Sequence, residues 1–330
     1  MSDIKIFVSH RIEFDSRTID NPLYYPVRCG AVDDNRSGHK LPGDNTGDHV
    51  SRYRVSFGEF TVMYWAWKNV KADYYGIGHY RRYFSFSPRF YKNTEHDQII
   101  DPYLDRRAIK RYHLTDVKRM RDLIEAHDAI VNRTTSIRGF DHISGPALTV
   151  YDRWLSWRHL EKSSLDLLLE LIRKMRPEYL QSARDYLLGS IFRGNNCFVF
   201  RHDLFFQYCE FVFDIMFEAE KKLTEGGDNK ILPRTTSFLG EIMYGIFILH
   251  LQKQNKYRIR EQQLVFFEYT RPIDEGLSHA FKRWSIMTKR SVRRASVIFL
   301  PLGSSRRESF KKVYHAIKGA PRITSLQEMK

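Results

Sequence analysis

The chain has 330 residues, 42% of them hydrophobic and 28% charged, which sets aside general disorder and leaves enough chain to bury a sizeable core. Its three cysteines, Cys29, Cys197 and Cys209, are odd in number and lack CxxC spacing, which sets aside a disulfide scaffold and a cysteine zinc site. The net charge of +15 is uneven: residues 277–330 carry 13 Lys and Arg against Glu308 and Glu328, or +11, leaving +4 for the preceding 276 residues.

The opening MSDIKIFVSH is too short and polar for a signal peptide, and Ile4–Ser9 reads as a buried β-branched strand. An Asp-, Asn- and Gly-rich loop follows, with Gly43-Asp44-Asn45-Thr46-Gly47-Asp48 at its centre. Tyr53–Val70 carries Val55, Phe60, Met63, Tyr64 and Trp67 at helical spacing, and Tyr74–Gly78 is a short strand running into His79-Tyr80-Arg81-Arg82. Thr115 is placed to cap a helix through about Ala126, ahead of a buried strand at Ala129–Val131.

Helical patterns dominate Tyr151–Leu188, interrupted near Pro177. Asn196–Phe200 is strand-like, and Asp203–Leu223 is a long helix whose Phe205, Phe206, Phe211, Phe213 and Phe217 face a core. Thr224–Pro233 reads as a mobile loop, Ser237–Gln254 as an apolar helix, and Tyr257–Tyr269 as extended. Strands alternating with helices over the first 140 residues predict an α/β sheet with helical cover, the helical middle being an insertion or a second lobe. No window offers ~18 uninterrupted apolar residues, so no transmembrane helix is expected and the chain is assigned to the cytoplasm.

The sequence lacks GxxxxGK[ST], GxGxxG after a strand, HExxH and GxSxG, which weighs against nucleotide hydrolases, dinucleotide oxidoreductases, zinc proteases and serine hydrolases. The densest chemistry lies in Gly76–Phe84. Small residues at a strand end admit a ligand to the backbone, His79 can donate to a phosphate or hydroxyl, and Arg81 and Arg82 suit bidentate phosphate contacts. Residue types alone favour surface ion pairs and a structural histidine over a site. The Arg–aromatic alternation through Tyr91 would also suit stacking on single-stranded nucleic acid.

Asp44, Asn45, Asp48 and Ser51 either order around a nucleotide or cap the helix that follows. Glu59, inside that helix, reads as a structural partner. Asp141 and Glu241 are the acids available as a general base, though an acid at a helix start also balances the helix dipole. A literal DxD pair, the usual acidic clamp for a divalent ion, is missing. A metal would need less regular acids, or the basic block would take its place.

NPLYYPVRCGAV, GDNTGDHVS, FGEFTVMYWAWKN and DYYGIGHYRRYF, followed by VYDRWLSWRHL, NNCFVFRHDLFFQYCEFVF and SFLGE, together resemble a family of bacterial glycosyltransferases. It is the family known as domain of unknown function 4422, from capsule, exopolysaccharide and lipopolysaccharide synthesis clusters. The resemblance spans about residues 3–269 and divides the chain into a domain at 1–270 and a basic amphipathic extension at 271–330.

The resemblance implies a GT-A-like (Rossmann-like) mixed sheet and transfer of a hexose, galactose or galactofuranose among them, from a nucleotide-sugar donor such as a UDP-sugar. The acceptor would be a lipid-linked or polymeric glycan. His10, Asp48, Ser51, His79, Tyr80, Arg81 and Arg82 then fall to the donor, Tyr151, His159 and Asn196 to the acceptor, and Glu241 or Asp141 to catalysis. No cofactor is required by this reading; Mn or Mg remains open, with no metal ligand assigned. His49 and Cys197 depart from the family's usual residues.

Basic pairs between Phe281 and Lys318 alternate with Trp284, Ile286, Met287, Val292, Val297, Ile298, Phe299 and Leu300. Residues 277–318 thus suit an anionic membrane surface, placing the protein peripherally on the inner face of the cell membrane. A solvated basic face or a helix packed on the body fits the same pattern. A non-catalytic nucleic-acid-binding protein is the alternative of a different class. The charge map speaks against it, because the positive excess sits in the tail, and no nucleic-acid partner is expected.

Overall fold

The structure, a computed structural model, describes residues 1–93, 97–137, 148–156, 160–225 and 234–299. Its first strand, β1 (Ile4–His10), alternates its side chains between two cores. Phe7 enters one with Tyr75 and Ile77, while Ile4, Ile6 and Val8 enter the other. Burial on both faces is why IKIFVSH shows a near-continuous apolar run.

β2 (Tyr24–Arg28) follows, then the short helices α1 (Arg54–Phe57) and α2 (Phe60–Asn69), and the strands β3 (Tyr74–His79), β4 (Arg82–Phe84) and β5 (Gln98–Tyr103). Next come α3 (Arg106–Arg111), α4 (Val117–Glu125), β6 (Ala129–Asn132) and β7 (Thr135–Ser136). The helical middle comprises α5 (Val150–Ser156), α6 (Lys162–Met175) and α7 (Leu180–Leu188), and leads through β8 (Ile191–Phe192) to β9 (Phe198–Arg201). The remaining elements are α8 (His202–Glu225), α9 (Thr235–Gln254), β10 (Ile259–Gln262), β11 (Leu264–Tyr269) and α10 (Leu277–Phe299).

β3 is central to the sheet. β1 runs parallel to it from Tyr74 to His79, with β2 parallel beyond β1. Its other edge is shared: β9 runs antiparallel along Tyr74–Ile77, and β4 turns back at His79. β6 and β10 lie beyond β9, and β11 and β5 beyond β4. α2 and α6–α9 cover one face, where Tyr75 stacks on Phe205 at 4.4 Å, while α3 and α4 cover the other.

The helical middle is therefore a layer on the sheet and not a separate lobe. Of the predicted phenylalanine stripe, Phe205, Phe211 and Phe213 are buried, and Phe206 and Phe217 pack against that core half-buried.

Several elements differ from sequence expectation for local reasons. The helix expected over 53–70 breaks at Gly58, whose φ of +57° ends α1 before α2 restarts. The cap of α4 is Asp116, not Thr115; its carboxylate accepts from the Arg119 N–H at 3.1 Å. β2 and β5 escape sequence detection because each contains a proline, Pro26 and Pro102. Both strands lie at edges of the sheet, where a missing N–H is tolerated. Of the expected loop at 224–233, Thr224 and Glu225 close α8 and 226–233 lie outside the described residues.

The chain divides into two compact units, Met1–Ile273 and Asp274–Lys330, and α10 is the described element of the second. No helix among the described residues is long and apolar enough to cross a membrane.

Candidate active site

β1 and β3 end side by side, with Ser9 opposite His79. Carboxyl ends of adjacent parallel strands are where open α/β sheets place ligands. A cleft of about 670 Å3 opens there, bounded by Ser9–Arg11 and His79–Arg82 from the strand ends and by Gly58, Glu59, Arg234, Phe238 and Glu241 from the helix starts. Its lining holds seven arginines (Arg11, Arg54, Arg81, Arg82, Arg133, Arg153 and Arg234) against three glutamates (Glu13, Glu59 and Glu241), so it favours an anionic ligand.

Not all of that charge is available. Arg11 and Arg54 hydrogen-bond Glu13; burial alone would raise that carboxyl, but these two guanidinium groups hold it at about 2. Arg133 donates to Asp97 at 2.8 Å. Arg81 and Arg82 differ, having no acidic partner at salt-bridge distance among the described residues. Each leaves a buried Nε–H without a hydrogen bond. Both guanidinium groups lie over one ring, Phe266, at 5.0 and 5.1 Å. β11 supplies that ring because it pairs Phe266 with Arg82 and donates Phe267 N–H to the Arg81 carbonyl.

The two histidines beside them are neutral. Burial, then the charges of Arg82 and Arg81, push His79 well below its usual range. Its Nδ1 accepts from Arg81 N–H at 3.3 Å, which leaves Nε2 to carry the proton and to donate. Burial brings His10 down to about 4; its Nδ1 lies 2.6 Å from Ser16 Oγ, and its Nε2 is buried without a partner. Tyr80 packs its ring 4.3 Å from His79, under Arg81 at 5.4 Å.

Glu241, in the second turn of α9, accepts from Asn195 N–H at 3.3 Å. Burial and the nearby Glu59 carboxylate push its carboxyl above the usual range, against the pull of Arg82, Asn195 N–H and Arg234. The loop can approach because residue 194 is glycine: a Cβ there would lie 3.2 Å from Glu241 Oε2 and closer still to the Phe192 ring.

The family described as a domain of unknown function, DUF4422, matches residues 5–254. The chain belongs to the DUF4422 family. A solved structure, the apo form of the bifunctional glycosyltransferase WbbM, shares the fold with a TM-score of 0.73 and 25% identity. That likeness covers 83% of this chain but 48% of WbbM, so the chain spans about half the length of the structure it matches. No curated protein matches it. The α/β sheet flanked by helices is thus a GT-A-like, glycosyltransferase-type fold.

In this DUF4422 chain the structure brings His10, His79, Tyr80, Arg81, Arg82 and Glu241 together in one cleft. Asp48 and Ser51 do not line it. Ser51 Oγ donates to buried Asp44 at 2.6 Å and accepts from Val32 N–H, while Asp44 also receives Gly30 N–H, Ala31 N–H and Thr61 Oγ1. Asp48 accepts from Tyr64 Oη on the surface. Asp44 and Asp48 tie the loop to its neighbours, and neither caps the helices that follow, whose N-termini carry no side-chain cap.

Tyr151 and Asn196 are displaced from the cleft by small offsets. Arg153, two residues along α5, lines it instead, and so does Asn195, because Asn195 and Asn196 both adopt left-handed backbone (φ 71° and 37°) that turns Asn196 towards Tyr208 Oη, 2.9 Å away. Asp141 and His159 lie outside the described residues. Gly76 admits no ligand: a Cβ there would lie 2.8 Å from Ile6 Cγ1, so the glycine serves packing of β3 on β1.

Sequence reasoning missed Arg234 and Phe266, which lie outside the quoted motifs, and did not assign Glu59, Arg153 and Asn195 to the site although the blocks FGEFTVMYWAWKN, VYDRWLSWRHL and NNCFVFRHDLFFQYCEFVF contain them. Among the described residues no group of three His, Cys, Asp or Glu side chains could hold a metal. The cleft's acids are three glutamates, one engaged by two arginines, which is not a cation cradle.

Proposed function

We propose that the chain is a glycosyltransferase that moves a hexose from a nucleoside-diphosphate donor to a glycan or lipid-linked acceptor in cell-surface polysaccharide synthesis. The observation that carries this is the Arg81–Arg82 pair, two guanidinium groups without acidic partners beside a neutral, donating His79, in a fold shared with a glycosyltransferase. A departing diphosphate gathers negative charge as its bond to the sugar breaks. Donors already oriented at that point stabilise it without reorganisation. We assign His10 and Tyr80 to the donor and Glu241 to the acceptor; all three line the cleft.

UDP at a hundred times its Kd should raise the melting temperature of the full chain by about 5 °C. A UDP-glucose, UDP-galactose and UDP-galactofuranose panel, with and without Mn2+, then identifies the donor; no UDP stabilisation and no donor turnover refutes the assignment. We further propose that α10, whose Leu277, Phe281 and Trp284 are exposed, docks on an anionic membrane surface. Removing residues 277–330 should abolish co-flotation with phosphatidylserine vesicles while leaving UDP stabilisation intact.

A further inference from the structure

Glu59 stands at the start of α2, where an acidic side chain ordinarily accepts from the first N–H groups of the helix. Its side chain makes no such bond, and among the described residues nothing forms a hydrogen bond or ion pair with its carboxylate. It is half-buried, and it lines the cleft. A carboxylate on the cleft wall with no hydrogen bond or ion pair among the described residues is open to a group bound there.

A packing contact explains where it sits. Gly240 of α9 lies so close to Phe60 of α2 that a Cβ would overlap the ring. The neighbours of those two residues, Glu59 and Glu241, are thereby carried into the same cleft. Glu241 has one N–H donor, from Asn195. The charged groups around the pair are Arg82 from β4, Arg234 ahead of α9 and Arg153 from α5; Tyr186, Tyr208 and Cys197 complete the surroundings.

We propose that, of the two glutamates in the cleft, Glu59 is the general base for the acceptor hydroxyl. The inference rests on the glycosyl-transfer reading. As the acceptor oxygen bonds to the anomeric carbon, its proton passes to the Glu59 carboxylate. The bond from the anomeric carbon to the diphosphate oxygen breaks, and its electron pair leaves with the diphosphate, held by Arg81 and Arg82. The upward displacement of the Glu241 carboxyl by burial and by Glu59 agrees with this choice.

The test compares E59Q and E241Q with the wild-type full chain, following UDP release from whichever of UDP-glucose, UDP-galactose and UDP-galactofuranose turns over fastest, from pH 4 to 9. E59Q should lose about 100-fold in rate and the acidic limb of its pH profile. E241Q should lose less than about tenfold and keep that limb. Both should keep wild-type stabilisation by UDP, which reads donor binding apart from chemistry. A rate for E59Q close to wild type, survival of the acidic limb in E59Q, or a larger loss in E241Q overturns the assignment. A wild-type chain that neither binds UDP nor turns over any donor overturns the glycosyl-transfer reading itself, and the role of Glu59 with it.

Discussion

The strand ends and the helix starts furnish the same cleft with different chemistry. From the strand ends come guanidinium groups without acidic partners and imidazoles held neutral; from the helix starts come two carboxyl groups, one displaced upward. The first set is aimed by a continuous hydrogen-bonded sheet: Phe267 N–H on the Arg81 carbonyl, Tyr80 N–H on Ser9, and Phe266 beneath both arginines. The second is aimed by side-chain packing, Gly240 on Phe60 and Gly194 beside Glu241. Anion binding should therefore be robust to changes in helix packing, whereas proton transfer should not.

Replacing both Arg81 and Arg82 by alanine breaks the strand side. Donor turnover should fall by about 1,000-fold and the melting-point rise with UDP should disappear, while the unliganded melting temperature changes little, since neither guanidinium has an acidic partner to lose. Unchanged turnover would remove the diphosphate role.

Gly240→Ala tests the helix side. Forcing a methyl group into the Phe60 ring should cost about 2 kcal/mol of stability by urea denaturation. The same shift displaces Glu59, so turnover should fall while UDP affinity is retained. Equal losses in rate and affinity would mean that the two sets of residues are one mechanical unit.

The smallest effect sharpens the electrostatic contrast. Because the folded-state pKa of Glu241 is raised above its unfolded value, its contribution to stability is fully present below the unfolded pKa. That contribution is lost as pH rises through the folded pKa. E241Q, which cannot ionise, should gain stability relative to wild type between pH 4 and pH 8, read as a difference in melting temperature. A constant difference across that range would show that the carboxyl is not displaced.

Much was legible along the chain wherever structure is local. β1, β3, β6, α8 and α9 follow from apolar periodicity, because both sheet faces and the long helices are buried. His79, Arg81 and Arg82 were visible because three hydrogen-bond donors lie within four residues at a strand end. Asn196 was legible only to within one residue, since no propensity announces two consecutive left-handed asparagines.

By itself, then, the sequence determined the two-faced sheet, its helical cover, the basic strand end and the membership of a glycosyltransferase-like family, since each is written in short runs of side-chain type. The tertiary structure decided which polar groups share a cleft. It spent Ser51 and Asp44 on their own loop, set Phe266 under the arginines from about 180 residues away, and brought Glu59 and Glu241 into one cleft beside a glycine–phenylalanine contact. Those pairings depend on the packing of elements distant in the chain, and no local pattern of residues encodes them.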